Sequence, residues 1–102
     1  MAWFVKTETF TAETAALTIE QRRPFLEAHR NWLDQQFGLG RCIRSGFLVD
    51  DQRRPGGGGL LMFQASSYAD ALDWVSQDPM IVAGLVVWQL QEWIPVTGDD
   101  WP

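Results

Sequence analysis

The chain has 102 residues, of which 46% are hydrophobic, and its formal net charge is −5 at pH 7. This length suits one domain with its own core, and no apolar run approaches the roughly 18 residues of a membrane-spanning helix. The eight lysines and arginines are scattered among thirteen acidic residues and form no basic stripe, which argues against a nucleic-acid partner.

Hydrophobic spacing along the chain predicts alternating strands and helices. In chain order we expect a strand over residues 2–10, a connection over 11–18, a helix over 22–37, a strand over 41–49, a loop over 50–59, a strand over 60–65, a helix from 67 to about 77, a turn over 79–83 and a strand over 85–94.

Capping and breaking residues set the limits of the first helix. Thr18 and Gln21 fit a capping box, where one short turn would begin. Pro24 suits the first turn of a helix but not its middle, so we expect the main helix to begin near it. Gly38 and Gly40 would end the helix.

The second half carries a glycine run and two further capping signals. The loop from Asp50 to Gly59 contains four consecutive glycines, but no Gly-Lys-Ser/Thr follows, so we reject a phosphate-binding loop and expect a mobile hairpin tip. Ser67 fits an N-cap of the second helix. In the Asp78-Pro79 step, Asp78 is a good N-cap and Pro79 a good first helical residue.

The chain has one histidine, and it lies in an apolar helical stripe. His29 shares a helix face with the hydrophobic residues three and four positions away, so we expect the imidazole to point inward. The stripe comprises Phe25, Leu26, His29, Trp32, Leu33 and Phe37. An ionisable ring in such surroundings needs a polar partner, and Asp78 is the best candidate. The alternative is a core histidine bonded to a backbone carbonyl, with Asp78 acting only as a cap.

The predicted order β-α-β-β-α-β is the ferredoxin-like plan of an α+β domain, an antiparallel sheet with both helices on one face. Strands 60–65 and 85–94 are apolar on both faces, whereas a sheet with one wet face should alternate more cleanly. We therefore predict a homodimer in which two sheets face each other.

Four segments of the chain resemble the YCII-related domain family, whose members have the dimeric α+β barrel fold. They are the Pro-x-His-like helix segment 23–33, the strand end 40–51 with Ser45-Gly46-Phe47-Leu48 and Asp50, the strand 59–63 that leads to Ser67, and Asp78-Pro79-Met80-Ile81-Val82-Ala83-Gly84-Leu85. The resemblance covers residues 2–95. It departs from the family pattern at Pro24, Phe47 and Met80.

The resemblance implies a histidine–aspartate pair, here His29 and Asp78, and a barrel shared with muconolactone isomerase and a dehydrochlorinating enzyme. Such a pair serves proton transfer, which fits cofactor-independent isomerisation or elimination on a small cyclic or aromatic metabolite. The alternative function is a non-catalytic dimeric module that binds a ligand or supports assembly.

Four further residues are candidates for substrate binding, each with a structural alternative. Ser45 and Asp50 would lie at the pocket mouth, although Asp50 also suits a solvated loop. Arg23 could attract an anionic substrate, yet such arginines commonly form surface ion pairs. Trp32 could stack on a ring ligand, although tryptophans of this kind usually belong to the core or an interface.

Other chemistry finds less support in the sequence. One histidine and the single Cys42 fall short of a zinc set, so we expect no metal and no cofactor. Cys42 reads as a buried thiol in a strand. No signal-peptide pattern is visible at the N-terminus, so we expect a cytoplasmic protein with one domain over residues 1–95 and a tail over 96–102.

Overall fold

The computed structural model describes residues 1–99 of the chain. The elements are β1 (Ala2–Phe10), α1 (Ala12–Ala15), α2 (Ile19–Gly38), β2 (Ile43–Val49), β3 (Pro55–Ala65), α3 (Tyr68–Val75), α4 (Pro79–Val82) and β4 (Val86–Trp93). The strands form one antiparallel sheet in the order β2-β3-β1-β4. The predicted ferredoxin-like α+β fold is confirmed, and α1 is a short addition that the sequence reading left as connection.

The register of β1 against β3 decides which side chains share a face of the sheet. Phe4 lies opposite Phe63, and Lys6 lies opposite Leu61. Because residues directly opposite each other point to the same side, these four form part of one face. That face carries the main core, which consists of Phe4, Leu33, Leu61, Phe63, Ala65, Ala71, Trp74, Val75 and Leu90.

Helix α2 begins earlier than predicted. Thr18 accepts a hydrogen bond from the Gln21 backbone N–H, and the Gln21 side chain accepts one from Thr18, so the capping box starts the long helix itself. The expectation that Pro24 marks the start was wrong: it lies inside the helix, because the cap outweighs the hydrogen bond that proline cannot donate. At the other end, Gly40 adopts a φ of +88° in a Schellman-type turn, as predicted.

The glycine run belongs to a strand and not to a loop. The predicted loop over 50–59 is limited to a short turn, since β3 begins at Pro55 and pairs with β1 through Gly58 and Gly59. Gly57 has a φ of +78°, and a Cβ at that position would lie 3.0 Å from the Phe10 ring. The glycines therefore let the neighbouring strand and its side chains approach closely.

The later helices are shorter than expected but are capped as predicted. The Ser67 side chain accepts a hydrogen bond from the Asp70 N–H at the start of α3, which ends at Val75 and not near residue 77. Asp78 is the N-cap of α4, with Pro79 as its first residue.

The expectation that Cys42 is a buried thiol in a strand was wrong. Its side chain is exposed, and the residue precedes β2.

The face of the sheet away from the core combines apolar and polar side chains. Val5 lies opposite Met62, and Thr7 lies opposite Leu60, in the centre of this face. Val87 is 64% exposed near its edge. We call this surface the outer face of the sheet.

No helix within residues 1–99 is long and apolar enough to cross a membrane.

Candidate functional site

Asp78 is a fully buried carboxylate that three hydrogen-bond donors hold in place. His29 Nδ1 lies 2.7 Å from Asp78 Oδ1, and Lys6 Nζ lies 2.7 Å from Oδ2. The Met80 backbone N–H donates to Oδ1 over 2.9 Å, as expected for an N-cap. Because α4 contacts α2 and β4, its first residue lies between the helix that carries His29 and the sheet.

Lys6 is a fully buried cation between two carboxylates. Its Nζ is 2.7 Å from Asp78 Oδ2 and 2.5 Å from Glu8 Oε1. Lys6 and Glu8 are two residues apart in β1, so both side chains point to the helix side of the sheet. The four groups form one connected set, Glu8–Lys6–Asp78–His29, which we call the charged cluster.

The contacts of Asp78 assign the proton on the imidazole. Burial acts to raise the pKa of Asp78, but the hydrogen bond from His29 and the charge of Lys6 outweigh it and keep the pKa below its ordinary value. An ionised carboxylate only accepts hydrogen bonds, so Nδ1 of His29 carries the proton that it donates. In the neutral ring, Nε2 then presents its lone pair, and it has no hydrogen-bond partner within residues 1–99.

A cavity of about 840 Å³ lies between α2 and the sheet, and His29 forms part of its wall. The His29 side chain is 20% exposed, so the ring is accessible from this space. The expected inward stripe is only partly buried: Leu33 belongs to the core, whereas Leu26 and Phe37 line the open cavity with exposures of 40% and 68%. The helix therefore covers the sheet incompletely and leaves room for a ligand of ordinary metabolite size.

The sheet side of the cavity is formed by β1, β2 and the glycines of β3. Phe10, Ser45 and Gly59 are among its lining residues, together with Glu8. At Gly59 a Cβ would lie 3.3 Å from Glu8 Cγ. The missing side chain gives the glutamate its space and leaves bare backbone on this wall.

The structure brings together some of the predicted site residues and separates others. His29 and Asp78 are in direct contact behind the cavity wall, and Ser45 lines the same cavity as His29. Asp50 lies outside the lining of the cavity, in the β2–β3 turn, where it accepts hydrogen bonds from the backbone and side chain of Arg54.

Arg23 and Trp32 also lie outside the lining. The exposed Arg23 borders only a small surface depression, and the Trp32 ring packs 4.8 Å from that of Trp74. Trp32 packs against the core and Arg23 is exposed to solvent, so neither side chain belongs to the cavity wall. We therefore do not retain Asp50, Arg23 or Trp32 as candidate ligand contacts.

Lys6 and Glu8 are functional candidates that the sequence reading missed. A usable signal was present: Lys6 is the single lysine of the chain, and it alternates in phase with Phe4 and Phe10. A polar residue in phase with large aromatic residues of a strand should share their buried face.

A ligand set for a metal is not apparent in the described part of the chain. Residues 1–99 contain no group of three or more histidine, cysteine, aspartate or glutamate side chains that could hold a metal ion. The donors around Asp78 include an ammonium group, which would repel a cation. The arrangement favours proton transfer at the exposed side of the imidazole.

Comparison with known proteins identifies the family of the chain. No functionally curated protein matches the chain. A solved structure with the same fold is 5-chloro-2-hydroxyhydroquinone dehydrochlorinase from Burkholderia phenoliruptrix, in complex with 2,5-dihydroxybenzoquinone. It is 20% identical, with a TM-score of 0.66 over 90% of this chain and 93% of that one. The family profile of the YCII-related domain matches residues 3–94. The chain belongs to the YCII-related domain family.

Proposed function

We propose that the chain is a small enzyme in which His29, oriented by Asp78, transfers a proton during a cofactor-independent elimination or isomerisation of a cyclic or aromatic metabolite. The observation that carries this proposal is the 2.7 Å contact of His29 Nδ1 with the buried Asp78 carboxylate. This contact leaves Nε2, the other nitrogen of the ring, as a base at the wall of a cavity of about 840 Å³.

The proposed step uses only groups that this chain supplies. His29 Nε2 accepts a proton from a C–H or O–H group of the ligand, and the released electron pair forms a new double bond in the ring. In an elimination a leaving group departs with its bonding electrons, and the proton passes from His29 to solvent. In an isomerisation an existing double bond opens, and the proton returns to the atom that receives its electron pair. Asp78 stabilises the imidazolium formed in between, and no electrons are gained or lost overall.

The family and the structural neighbour support a reaction of this kind. The neighbour is named as a dehydrochlorinase and was solved with a dihydroxybenzoquinone, which is a ring compound small enough for a cavity of this volume. The apolar residues along α2, such as Leu26 and Leu33, offer the surface that a ring would contact.

The proposal is tested by finding ligands and following protons. Ligand-detected NMR against a library of hydroxylated and halogenated rings identifies binders, which are then assayed for halide release and for uptake of deuterium from solvent. We expect His29→Gln to lower the rate by about 10²–10⁴-fold, while ligand binding persists.

Glu27→Gln is the matched control, because Glu27 is exposed on the same helix and does not line the main cavity. This control should keep the full rate. Unchanged turnover in His29→Gln would remove the histidine from the mechanism. If bound ligands show neither exchange nor release, the non-catalytic binding module describes the protein instead.

We further propose that the protein is a homodimer that pairs through the outer face of the sheet. Apolar side chains such as Val5 and Leu60 lie on that face without a helix above them. A second copy is the simplest cover for such a surface. Sedimentation should then give a mass close to twice 11.6 kDa, and a monomer at micromolar concentration would contradict the proposal.

Two finer assignments complete the proposal. We place one YCII-related domain over residues 1–95 with a short tail over 96–102, of which residues 100–102 lie outside the described part. We also propose that the protein acts in the cytoplasm. Fractionation of cells that produce the tagged chain checks this location.

A further inference from the structure

We propose that Glu8 is a second ligand-binding group of the cavity. One hydroxyl group of the ligand donates to His29, and the Glu8 carboxylate selects ligands that carry a second hydroxyl donor. The inference rests on the proposed function only in taking this cavity as the ligand site. It assigns a substrate class: small uncharged rings that carry two hydroxyl groups.

Glu8 is anchored at one carboxylate oxygen and presents the other. Its Oε1 lies 2.5 Å from the Lys6 ammonium group, and its side chain is 12% exposed. It lines the same cavity as His29 but belongs to the sheet and not to α2. Within residues 1–99, the second oxygen, Oε2, has no partner. A partly buried acceptor without a partner is one that a ligand can satisfy.

The wall around Glu8 keeps this oxygen uncovered. Gly59 lies directly opposite Glu8 in the sheet. A Cβ at position 59 would come within 3.3 Å of Glu8 Cγ and 3.5 Å of the Gly46 carbonyl oxygen. The absence of a side chain at position 59 leaves space for the glutamate at the cavity wall, and the contact with Lys6 holds its carboxylate there.

The polar atoms offered by the charged cluster are acceptors. Nε2 of the neutral imidazole and Oε2 of Glu8 can both accept a hydrogen bond, whereas the donors of Lys6 are directed at carboxylates. The cluster holds two carboxylates and one ammonium group, so an anionic ligand group is repelled there. Two hydroxyl groups satisfy both acceptors, and a ligand that lacks one of them leaves a desolvated acceptor unpaired, which strongly disfavours binding.

Two arginines also line the cavity, but in the described part of the chain neither is paired with the charged cluster. Arg22 precedes His29 by seven residues, which is about 10 Å along the helix, and its guanidinium group lies 5.2 Å from the centre of the Phe10 ring. Arg30 is exposed to solvent. Within residues 1–99 neither arginine forms an ion pair with Glu8 or Asp78, so the acceptors of the charged cluster stay available to a ligand.

Equilibrium binding of three ring ligands tests the inference. Hydroquinone has two hydroxyl donors, 4-methoxyphenol has one, and 4-hydroxybenzoate is an anion. We expect the wild-type protein to bind hydroquinone about tenfold more tightly than 4-methoxyphenol, as a hydrogen bond to a charged group implies, and 4-hydroxybenzoate more weakly still.

Glu8→Gln should remove this preference. The glutamine oxygen can keep the contact with Lys6, so its NH₂ group faces the cavity. This group is a donor and cannot accept the hydrogen bond that the second hydroxyl group of the ligand offers. We expect the ratio between hydroquinone and 4-methoxyphenol to fall below about threefold. Glu92→Gln is the matched control, since Glu92 is exposed on β4 and does not line the cavity, and it should keep the wild-type ratio.

A second variant avoids any change of charge. Gly59→Ala should displace Glu8 by steric contact and reduce the same preference, whereas Gly38→Ala, at the end of α2 in open space, should not. Circular dichroism confirms that each variant is folded. Four results overturn the inference: equal affinity for the three ligands in the wild type, no binding at millimolar concentration, tightest binding of 4-hydroxybenzoate, or an unchanged ratio in Glu8→Gln. The binding measurements are made at equilibrium and do not depend on turnover. A His29 that transfers no proton would therefore contradict the proposed function and not this inference.

Discussion

At the scale of single residues, the only lysine and the only histidine of the chain meet on one buried aspartate. Asp78 would be costly to bury alone, since an uncompensated carboxylate in the interior loses its hydration. Three donors replace that hydration, and each comes from a different element or turn. The fixed carboxylate then sets the proton position on the imidazole, which links packing directly to the proposed chemistry.

Lys6 should be protected from chemical modification in the folded protein. Its side chain has no exposed surface, so an acylating reagent at neutral pH should label only the N-terminal amine. In urea, Lys6 should react as well. Mass spectrometry of peptides after labelling measures both sites, and rapid native labelling at Lys6 would contradict the burial on which the charged cluster depends.

The stability of the protein should fall in acid because of Asp78. Its pKa in the folded chain lies below the ordinary value of 3.8, so its ionic contacts contribute fully above that pH and are lost as the pH falls through the folded pKa. Asp78→Asn keeps an N-cap side chain but breaks the ion pair, which costs about 3–5 kcal/mol at pH 7.

Urea unfolding of both proteins at pH 7 and near pH 3 measures this dependence. The difference in unfolding free energy between wild type and Asp78→Asn should shrink at the lower pH, because below pH 3.8 the unfolded wild-type chain binds a proton at Asp78 that the ionic contacts oppose in the folded chain. A difference that stays constant across this range would show that the carboxylate does not titrate as proposed.

At the scale of elements, side-chain caps decide where the helices begin. Thr18 starts α2, and Asp78 starts α4, so the polar group of the candidate site is itself a structural cap. The long helix tolerates a proline in its second turn because the cap and the later packing of Leu33 hold it in place. The result is a helix that presents His29 to a cavity instead of closing over the sheet.

Replacing Pro24 by alanine should stabilise the protein. Alanine restores the N–H that can bond to the carbonyl of residue 20 and removes the ring clash within the helix. Some of this gain is offset because proline also restricts the unfolded chain, so we expect about 1 kcal/mol, or a rise in Tm of about 4–8 °C.

Thermal unfolding by circular dichroism measures the effect of Pro24→Ala. Arg23→Ala serves as the control, since Arg23 is the exposed neighbour and its replacement should shift Tm little. A lower Tm in Pro24→Ala would mean that the helix geometry around residue 24 is adapted to the proline ring.

At the scale of the whole molecule, the sheet has two unequal faces. One carries the core and the charged cluster, and the other exposes apolar side chains between polar ones. The cavity opens on the helix side, so pairing through the outer face would leave it accessible. The proposed dimer and the proposed ligand site therefore use opposite surfaces.

Val87→Glu should weaken the proposed dimer without unfolding the protomer. Val87 lies on the outer face and is 64% exposed, whereas Val82 on α4 is 73% exposed away from that face. A buried unpaired charge is costly at an interface, so Val87→Glu should sediment as a monomer at micromolar concentration. Val82→Glu should keep the wild-type mass, and identical masses for both variants would place the interface elsewhere.

The sequence by itself determined the features that depend on neighbours along the chain. Spacing placed His29 on an apolar helix face, and residue type made Asp78 a cap. The order of strands and helices, with turn residues between them, was sufficient for the fold class. These inferences succeeded because helix caps, turns and periodic faces are set by residues within a few positions of each other.

Only the tertiary structure decided which of these groups meet. Lys6 and Asp78 are 72 positions apart, and their contact depends on strand register and on the placement of α4. The same holds for the cavity, because the gap between α2 and the sheet follows from how the elements pack. Local patterns limit which face a side chain takes, but distances between faces arise from packing of the whole domain.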